Sequence, residues 1–144
     1  MYKHTQILGW QILISVTIGI IATAWMAVTD WRIAGMAACL FLVAALVLFF
    51  SLTVRVDRYA VIVAFGPGLV HKRIPLAQVR ACRTVRNKWY YGWGLRIIPG
   101  GLLYNVAGLD AVELEMNNGH RYRIGTNEPD RLKQIIAQNI AAGE

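Results

Sequence analysis

Few side chains in this sequence have the type and spacing that chemistry needs. His4, His71 and His120 are scattered, and neither Cys39 nor Cys82 has a partner at metal-ligand spacing. Cys39 falls inside an apolar run and Cys82 in the charged part of the chain. The two therefore do not pair, which suits a reducing compartment. No serine or cysteine has the setting of a nucleophile, and no carboxylate pair is free of arginine partners. Gly92-x-Gly94 lacks the third glycine of a dinucleotide loop and opens no helix. These residues predict a protein that is not an enzyme, with no cofactor and no metal.

Charge is concentrated in one stretch. No acidic residue occurs between Arg58 and Leu109, while Arg58, Lys72, Arg73, Arg80, Arg83, Arg86, Lys88 and Arg96 are all basic. Trp89, Tyr90, Tyr91 and Trp93 sit among them. Basic residues interleaved with interfacial aromatics suit an anionic membrane surface, at about 1 kcal/mol per charge close to it. Lys72 to Arg96, with these aromatics, are the candidate lipid-facing residues. The same charges also fit a solvated basic face, and selective recognition of one phospholipid is a further alternative. Nucleic acid is not an expected partner, because no recognition motif is present.

What positions this stretch is the first third of the chain. Two apolar runs, Ile7–Val28 and Ile33–Leu52, enclose Thr29-Asp30-Trp31-Arg32, and neither run carries a charge. At about 1.5 Å per residue they reach roughly 33 and 30 Å, enough for a hydrocarbon core of about 30 Å. So short a connection makes the helices antiparallel, and a transmembrane hairpin over residues 1–54 is expected. Ala22-Thr23-Ala24 resembles a signal cleavage site, but Trp25-Met26-Ala27 continues the run beyond an ordinary leader. Lys3, Arg55 and Arg58 flank the runs on one side, against Arg32 and Asp30 in the loop. The positive-inside rule then places both termini in the cytoplasm of a multi-pass inner-membrane protein. Trp10, Trp25 and Trp31 stand where interfacial aromatics belong. Ser15, Gly19 and Thr23 form a small-residue stripe, with Ala34 and Ala38, or Gly35 and Cys39, available to face it.

Composition agrees. The 144-residue chain has a formal charge of +7, and thirteen of its fifteen Lys and Arg lie from Arg55 onward. From Thr53 the periodicity becomes alternating. Strands are expected at Thr53–Asp57, Ala60–Phe65, Leu69–Ile74, Ala81–Val85, Leu95–Ile98 and Leu102–Val106. Ala111–Gly125 reads as a hairpin. A three-residue loop, Asn117-Asn118-Gly119 with Gly in the left-handed region, pairs Leu114 with Tyr122. It also sets Glu115 against Arg121 and Glu113 against Arg123, as structural ion pairs. A two-residue turn would set apolar residues opposite charges. A helix over about 128–141, capped by Asn127, presents Leu132, Ile135, Ile136 and Ile140 and would plug an open end of the sheet.

Several motifs carry a resemblance. Gly92-Trp93-Gly94-Leu95-Arg96, Pro99-Gly100-Gly101, Tyr104-Asn105-Val106, Val112-Glu113-Leu114 and Arg123-Ile124-Gly125-Thr126-x-x-Pro129 resemble small bacterial membrane proteins with a pleckstrin-homology-like (PH-like) domain. The resemblance covers Leu52–Ala142 in detail and the hairpin in arrangement. It implies a membrane α+β fold: two transmembrane helices, then a PH-like antiparallel β-barrel or sandwich over 55–144, capped by a C-terminal helix. It supplies no catalytic or ligand residues. Ala107 departs from the small hydroxyl residue expected in the Tyr-Asn-Val-x-Gly turn.

Two function classes follow. One is a membrane-anchored interaction module, an accessory or assembly subunit of a larger inner-membrane complex. The other is a lipid-surface sensor or scaffold that binds anionic headgroups through the basic–aromatic segment. Partners are accordingly a bilayer containing anionic lipids and a membrane protein, or a second copy of the chain.

Overall fold

The computed structural model describes residues 2–29 and 32–142. Asp30 and Trp31, expected in the loop, and Gly143, expected to end the last helix, lie outside the described residues. The chain opens with a strand, β1 (Tyr2–Ile7), and enters helix α1 (Trp10–Ala27). Helix α2 (Arg32–Phe49) packs along α1. Strands β2 (Ser51–Val56), β3 (Ala60–Phe65) and β4 (Val70–Pro75) follow, then β5 (Val79–Arg86), β6 (Gly94–Ile98) and β7 (Gly101–Asn105). The hairpin β8 (Asp110–Met116) and β9 (Arg121–Gly125) precedes helix α3 (Pro129–Ala141).

The helices are shorter than the apolar runs because both ends of the hairpin are taken into a sheet. Ile7 closes β1, and Ser51 and Leu52 open β2, where Ile7 stands opposite Ser51 and Tyr2 opposite Val56. Tyr2, His4 and Gln6 turn toward the interior, and Lys3, Thr5 and Ile7 turn outward. This first strand is an addition to the expected set. Helix α2 is long and apolar enough to cross a membrane by length and composition; in α1 the apolar segment is Leu13–Met26.

The strands form two sheets, of order β1-β2-β3-β4 and β5-β8-β9-β7-β6. They face each other across one core, with Leu52, Val54, Val63 and Phe65 from the first meeting Tyr104, Val112, Leu114 and Ile124 from the second. Each such side chain contributes roughly 1.5–3 kcal/mol when fully buried. The sheets do not close into a barrel. Nor is the second wholly antiparallel, because β7 and β9 run parallel. The chain reaches β9 from β7 through β8, so β7 and β9 point the same way.

The β8–β9 register is the expected one: Leu114 faces Tyr122, Glu113 faces Arg123, and Glu115 faces Arg121. Gly119 takes φ +83° in the loop. Helix α3 lays Leu132 and Ile136 against β5 and β8, with Ile135 and Ile140 at the margin. Its cap differs from expectation. Glu128 occupies the cap position without a side-chain bond, while Thr126 Oγ1 accepts from the Glu128 amide. Asn127 Oδ1 instead meets His4 Nε2 at 2.7 Å, drawn away by β1.

Hairpin and sheets are joined tightly. The Leu8 amide donates to the Phe50 carbonyl, and the Phe49 ring meets Phe65 edge-on, which in turn stacks near Tyr104. Gly66 has φ +47°, and a Cβ there would stand 2.5 and 2.6 Å from the carbonyl oxygens of Val47 and Leu48. Only glycine lets the β3–β4 turn sit against the last turn of α2.

Candidate functional site

The basic residues that are continuous in sequence separate in space. Arg80, Arg83 and Arg86 lie on β5, one edge of the five-stranded sheet, and Arg96 lies on β6, the opposite edge. Lys72 and Arg73 belong to the other sheet, on β4. Lys72 has the inward register of Val70 and Ile74 at an open margin, where its ammonium lies 5.8 Å from the Tyr122 ring centre.

Arg83 is not a free charge. Its Nε and Nη2 donate to Glu113 Oε1 at 2.8 and 2.6 Å, and Arg123 Nε donates to Oε2 at 2.6 Å. Burial of Glu113 would raise its pKa, but the bonds from Arg123 and Arg83 outweigh that and hold the carboxyl below its ordinary range. The expected Glu113–Arg123 pair is present. Glu115 is served by Arg83 at 3.8 Å; Arg121 faces Glu115 in register.

Arg83, Glu113, Arg123, Leu103 and Arg96 thus form one row across the outer face of the second sheet. The segment between β5 and β6 covers this row. Asn87 is buried and its Oδ1 lies 3.4 Å from Arg123 Nη1, while Arg123 lies 6.0 Å from the Tyr91 ring centre. Trp89, Tyr90 and Tyr91 make a single 3-10 turn with successive edge-to-face contacts. Lys88 lies 5.6 Å from the Tyr90 ring centre, and its pKa is raised by the hydrogen bond to Tyr90. Trp89, Tyr90, Trp93, Leu95 and Ile97 remain exposed, Ile97 at 90%. A run of exposed apolar side chains beside a helical hairpin is what a membrane interface accommodates.

A second basic surface has no counterpart in the linear sequence. The register β1-β2-β3-β4 sets Lys3, Arg55, Ile62 and Arg73 in one row on the outer face of the first sheet. Beside it runs Thr5, Thr53, Ala64 and His71, with the two threonine hydroxyls 3.0 Å apart. Among the described residues none of Lys3, Arg55 and Arg73 has an ion-pair partner. A shallow hollow of about 280 Å³ lies over this face, bounded by Lys3, Arg55, His71 and the Gly66–Gly68 turn. Lys3 and Arg55 look like mere flanking charges until β1 pairs with β2.

A larger cleft, of about 590 Å³, separates the hairpin from the segment Gly92 to Arg96. Val16, Leu42, Ala45, Leu46 and Phe49 form the helical wall, with Leu8 at the joint. Arg96 is the charged residue of the lining, its Nε donating to the Trp93 carbonyl at 3.0 Å.

In the hairpin, Gly35 is buried, Gly19, Thr23, Ala38 and Cys39 are half-buried, and Ser15 and Ala34 face outward. A Cβ on Gly19 would lie 3.4 Å from Leu42 Cδ1, so Gly19 faces Leu42. Ala107, the departure noted above, lies against Gly9 at the foot of α1, and its carbonyl accepts from Gln6. Burial pushes the Cys82 thiol up to about 11, which makes it a poor nucleophile near neutrality. Among the described residues no three His, Cys, Asp or Glu side chains are grouped to hold a metal. Neither a protein-family model nor a curated protein sequence matches this chain.

Proposed function

We propose that this chain is a non-catalytic module anchored in the bacterial inner membrane, whose β-rich domain lies on the anionic cytoplasmic surface. In this reading both helices cross the bilayer. Pairing of β1 with β2 keeps both flanks of the hairpin on one side, and Lys3, Arg55 and Arg58 favour the cytoplasm. The two facing sheets and terminal helix are compatible with the PH-like resemblance, which belongs to the same proposal.

The observation that carries it is the acid-free row Lys3, Arg55 and Arg73. Thr5 and Thr53 stand two residues from the ends of their strands at the hairpin, and Lys3 and Arg55 stand four. At about 3.4 Å per residue the row lies roughly 14 Å from the helices, with the threonines and His71 about 7 Å away. That is one to two Debye lengths from a headgroup layer, where screening reduces the roughly 1 kcal/mol of a cation at the surface to about a few tenths for each, so the row acts through its summed charge.

The test uses full-length protein in vesicles of phosphatidylcholine alone or with 30% phosphatidylglycerol (roughly the charge density of an anionic leaflet). A dye is placed by Asn118→Cys in a Cys39→Ser, Cys82→Ser background, and energy transfer to a headgroup acceptor reads how close the domain lies. Transfer should rise with phosphatidylglycerol, and fall in high salt or in Lys3→Gln/Arg55→Gln/Arg73→Gln. Equal transfer in both lipids would overturn the proposal.

The subunit reading draws on a different feature. Strand β6 is a sheet edge with Leu95 and Ile97 exposed, a site where another chain could add a strand. A stoichiometric membrane-protein partner recovered after gentle solubilisation, and lost with Ile97→Lys, would favour it.

A further inference from the structure

We propose that the cleft between the hairpin and the Gly92–Arg96 segment holds one anionic phospholipid, an acyl chain along the helices and its phosphate at Arg96. The inference rests on the membrane-anchored reading and adds to it a resident ligand.

The first support is shape and lining. A volume of about 590 Å³ falls within the roughly 300–1,000 Å³ of ordinary small-molecule sites. Among the described residues the helical wall is apolar. Val16 is six residues from the start of α1, and Leu42 is seven from the end of α2. At about 1.5 Å per residue the cleft extends some 10 Å along the hairpin from its joint with the sheets. Its deep end therefore lies in the hydrocarbon layer and its mouth at headgroup level, the two environments an amphiphile needs in that order.

The second support is charge. Arg96 has one N–H engaged by the Trp93 carbonyl, and among the described residues no carboxylate pairs with it. Its guanidinium lies beside Gly92, where a Cβ would stand 3.8 Å from Nε and 3.9 Å from Nη2. The remaining N–H groups of the fork match two phosphate oxygens. Strand β6 adds to this, because an edge strand turns every second backbone N–H away from its neighbour. Among the described residues no carboxylate lines the cleft to meet a choline or ethanolamine ammonium. The site thus favours a lipid whose net charge is negative.

The test is native mass spectrometry of the full-length protein in mild detergent with added phosphatidylglycerol or phosphatidylcholine. One phosphatidylglycerol should stay bound, in preference to phosphatidylcholine. Ala45→Trp fills the cleft and should abolish retention. Arg96→Gln, at an exposed position where folding is not at stake, should weaken phosphatidylglycerol retention about tenfold, the loss of a charge-assisted bond. Lys3→Gln/Arg55→Gln/Arg73→Gln, away from the cleft, should retain lipid as the wild type does.

No adduct, equal retention of the two lipids, or undiminished retention in both cleft variants would overturn the inference. So would displacement of the adduct by inorganic phosphate alone, which would mark a free-anion site, or a dimer whose contacts fill the cleft. A bound lipid without phosphatidylglycerol-dependent energy transfer would leave the cleft standing and the docking surface refuted. The reverse pattern would refute the cleft alone.

Discussion

Glu113→Gln tests the centre of the domain. The Glu113 side chain is 2% exposed and is held by Arg83 on one oxygen and Arg123 on the other. Losing one partner of a fully buried ion pair costs about 3–5 kcal/mol. Arg83 is 52% exposed and can turn to water, whereas Arg123, at 19%, cannot do so freely. Glutamine also keeps one carbonyl oxygen as an acceptor. The expected destabilisation is therefore about 2 kcal/mol, the loss of one strong charged hydrogen bond. For a sheet domain of this size that lowers Tm by roughly 10 °C.

The effect should carry a pH signature. A carboxyl whose folded pKa is depressed stabilises above its unfolded value, about 4.3, and loses that contribution as pH falls through the folded pKa. Wild-type protein should lose stability on acidification below about pH 4, and the variant should show a flatter profile there. Thermal circular dichroism of the full chain in detergent reads both. Amide exchange over 87–91 should quicken in the variant, since Arg123 lies against Asn87 and Tyr91. A melting point within about 2 °C of wild type, with unchanged exchange at 87–91, would refute this account of the triad.

Gly66→Ala places a Cβ against two carbonyl oxygens of α2 at positive φ, so the β3–β4 turn must move. A loss of about 1–3 kcal/mol is expected, read by the same thermal assay, with faster exchange in the last turn of α2. The thiol of Cys82, pushed up to about 11, should react with iodoacetamide at pH 8 on the order of a hundredfold more slowly than an exposed cysteine. Peptide mass analysis after timed alkylation decides it.

Legibility in the sequence followed the range of the interactions. The β8–β9 register could be read because a slip of one residue sets apolar side chains against charges, a local contradiction. Strand β1 could not. Tyr2–Ile7 is short and polar, and Thr5 meets Thr53 only after the whole hairpin has intervened. With β1 hidden, the row Lys3, Arg55 and Arg73 was hidden too. Arg83 shows a subtler limit. Glu113 is matched to Arg123 by register and local reading stops at that pair, but a carboxylate has two oxygens and here each takes a guanidinium. Asn127 has the right type for a helix cap, and His4 competes for it. The cleft joins residues near 16, 45 and 95, and no local pattern announces such a meeting.

The pairing of β1 with β2 also sets an order of events during synthesis. Residues Tyr2 to Ile7 leave the ribosome before either helix, and their partner strand is made only after both. Until then β1 has no template, and an unpaired strand beside a nascent apolar hairpin is exposed to wrong partners. Its polar outward positions, Lys3 and Thr5, make it a weak competitor for such partners. Closing a loop of this length is entropically unfavourable by a few kcal/mol in a free chain. A hairpin already formed removes most of that penalty, because it delivers residue 8 next to residue 50. The helices thus act as an internal chaperone for the first sheet, because they hold β1 where β2, the strand made directly after them, emerges.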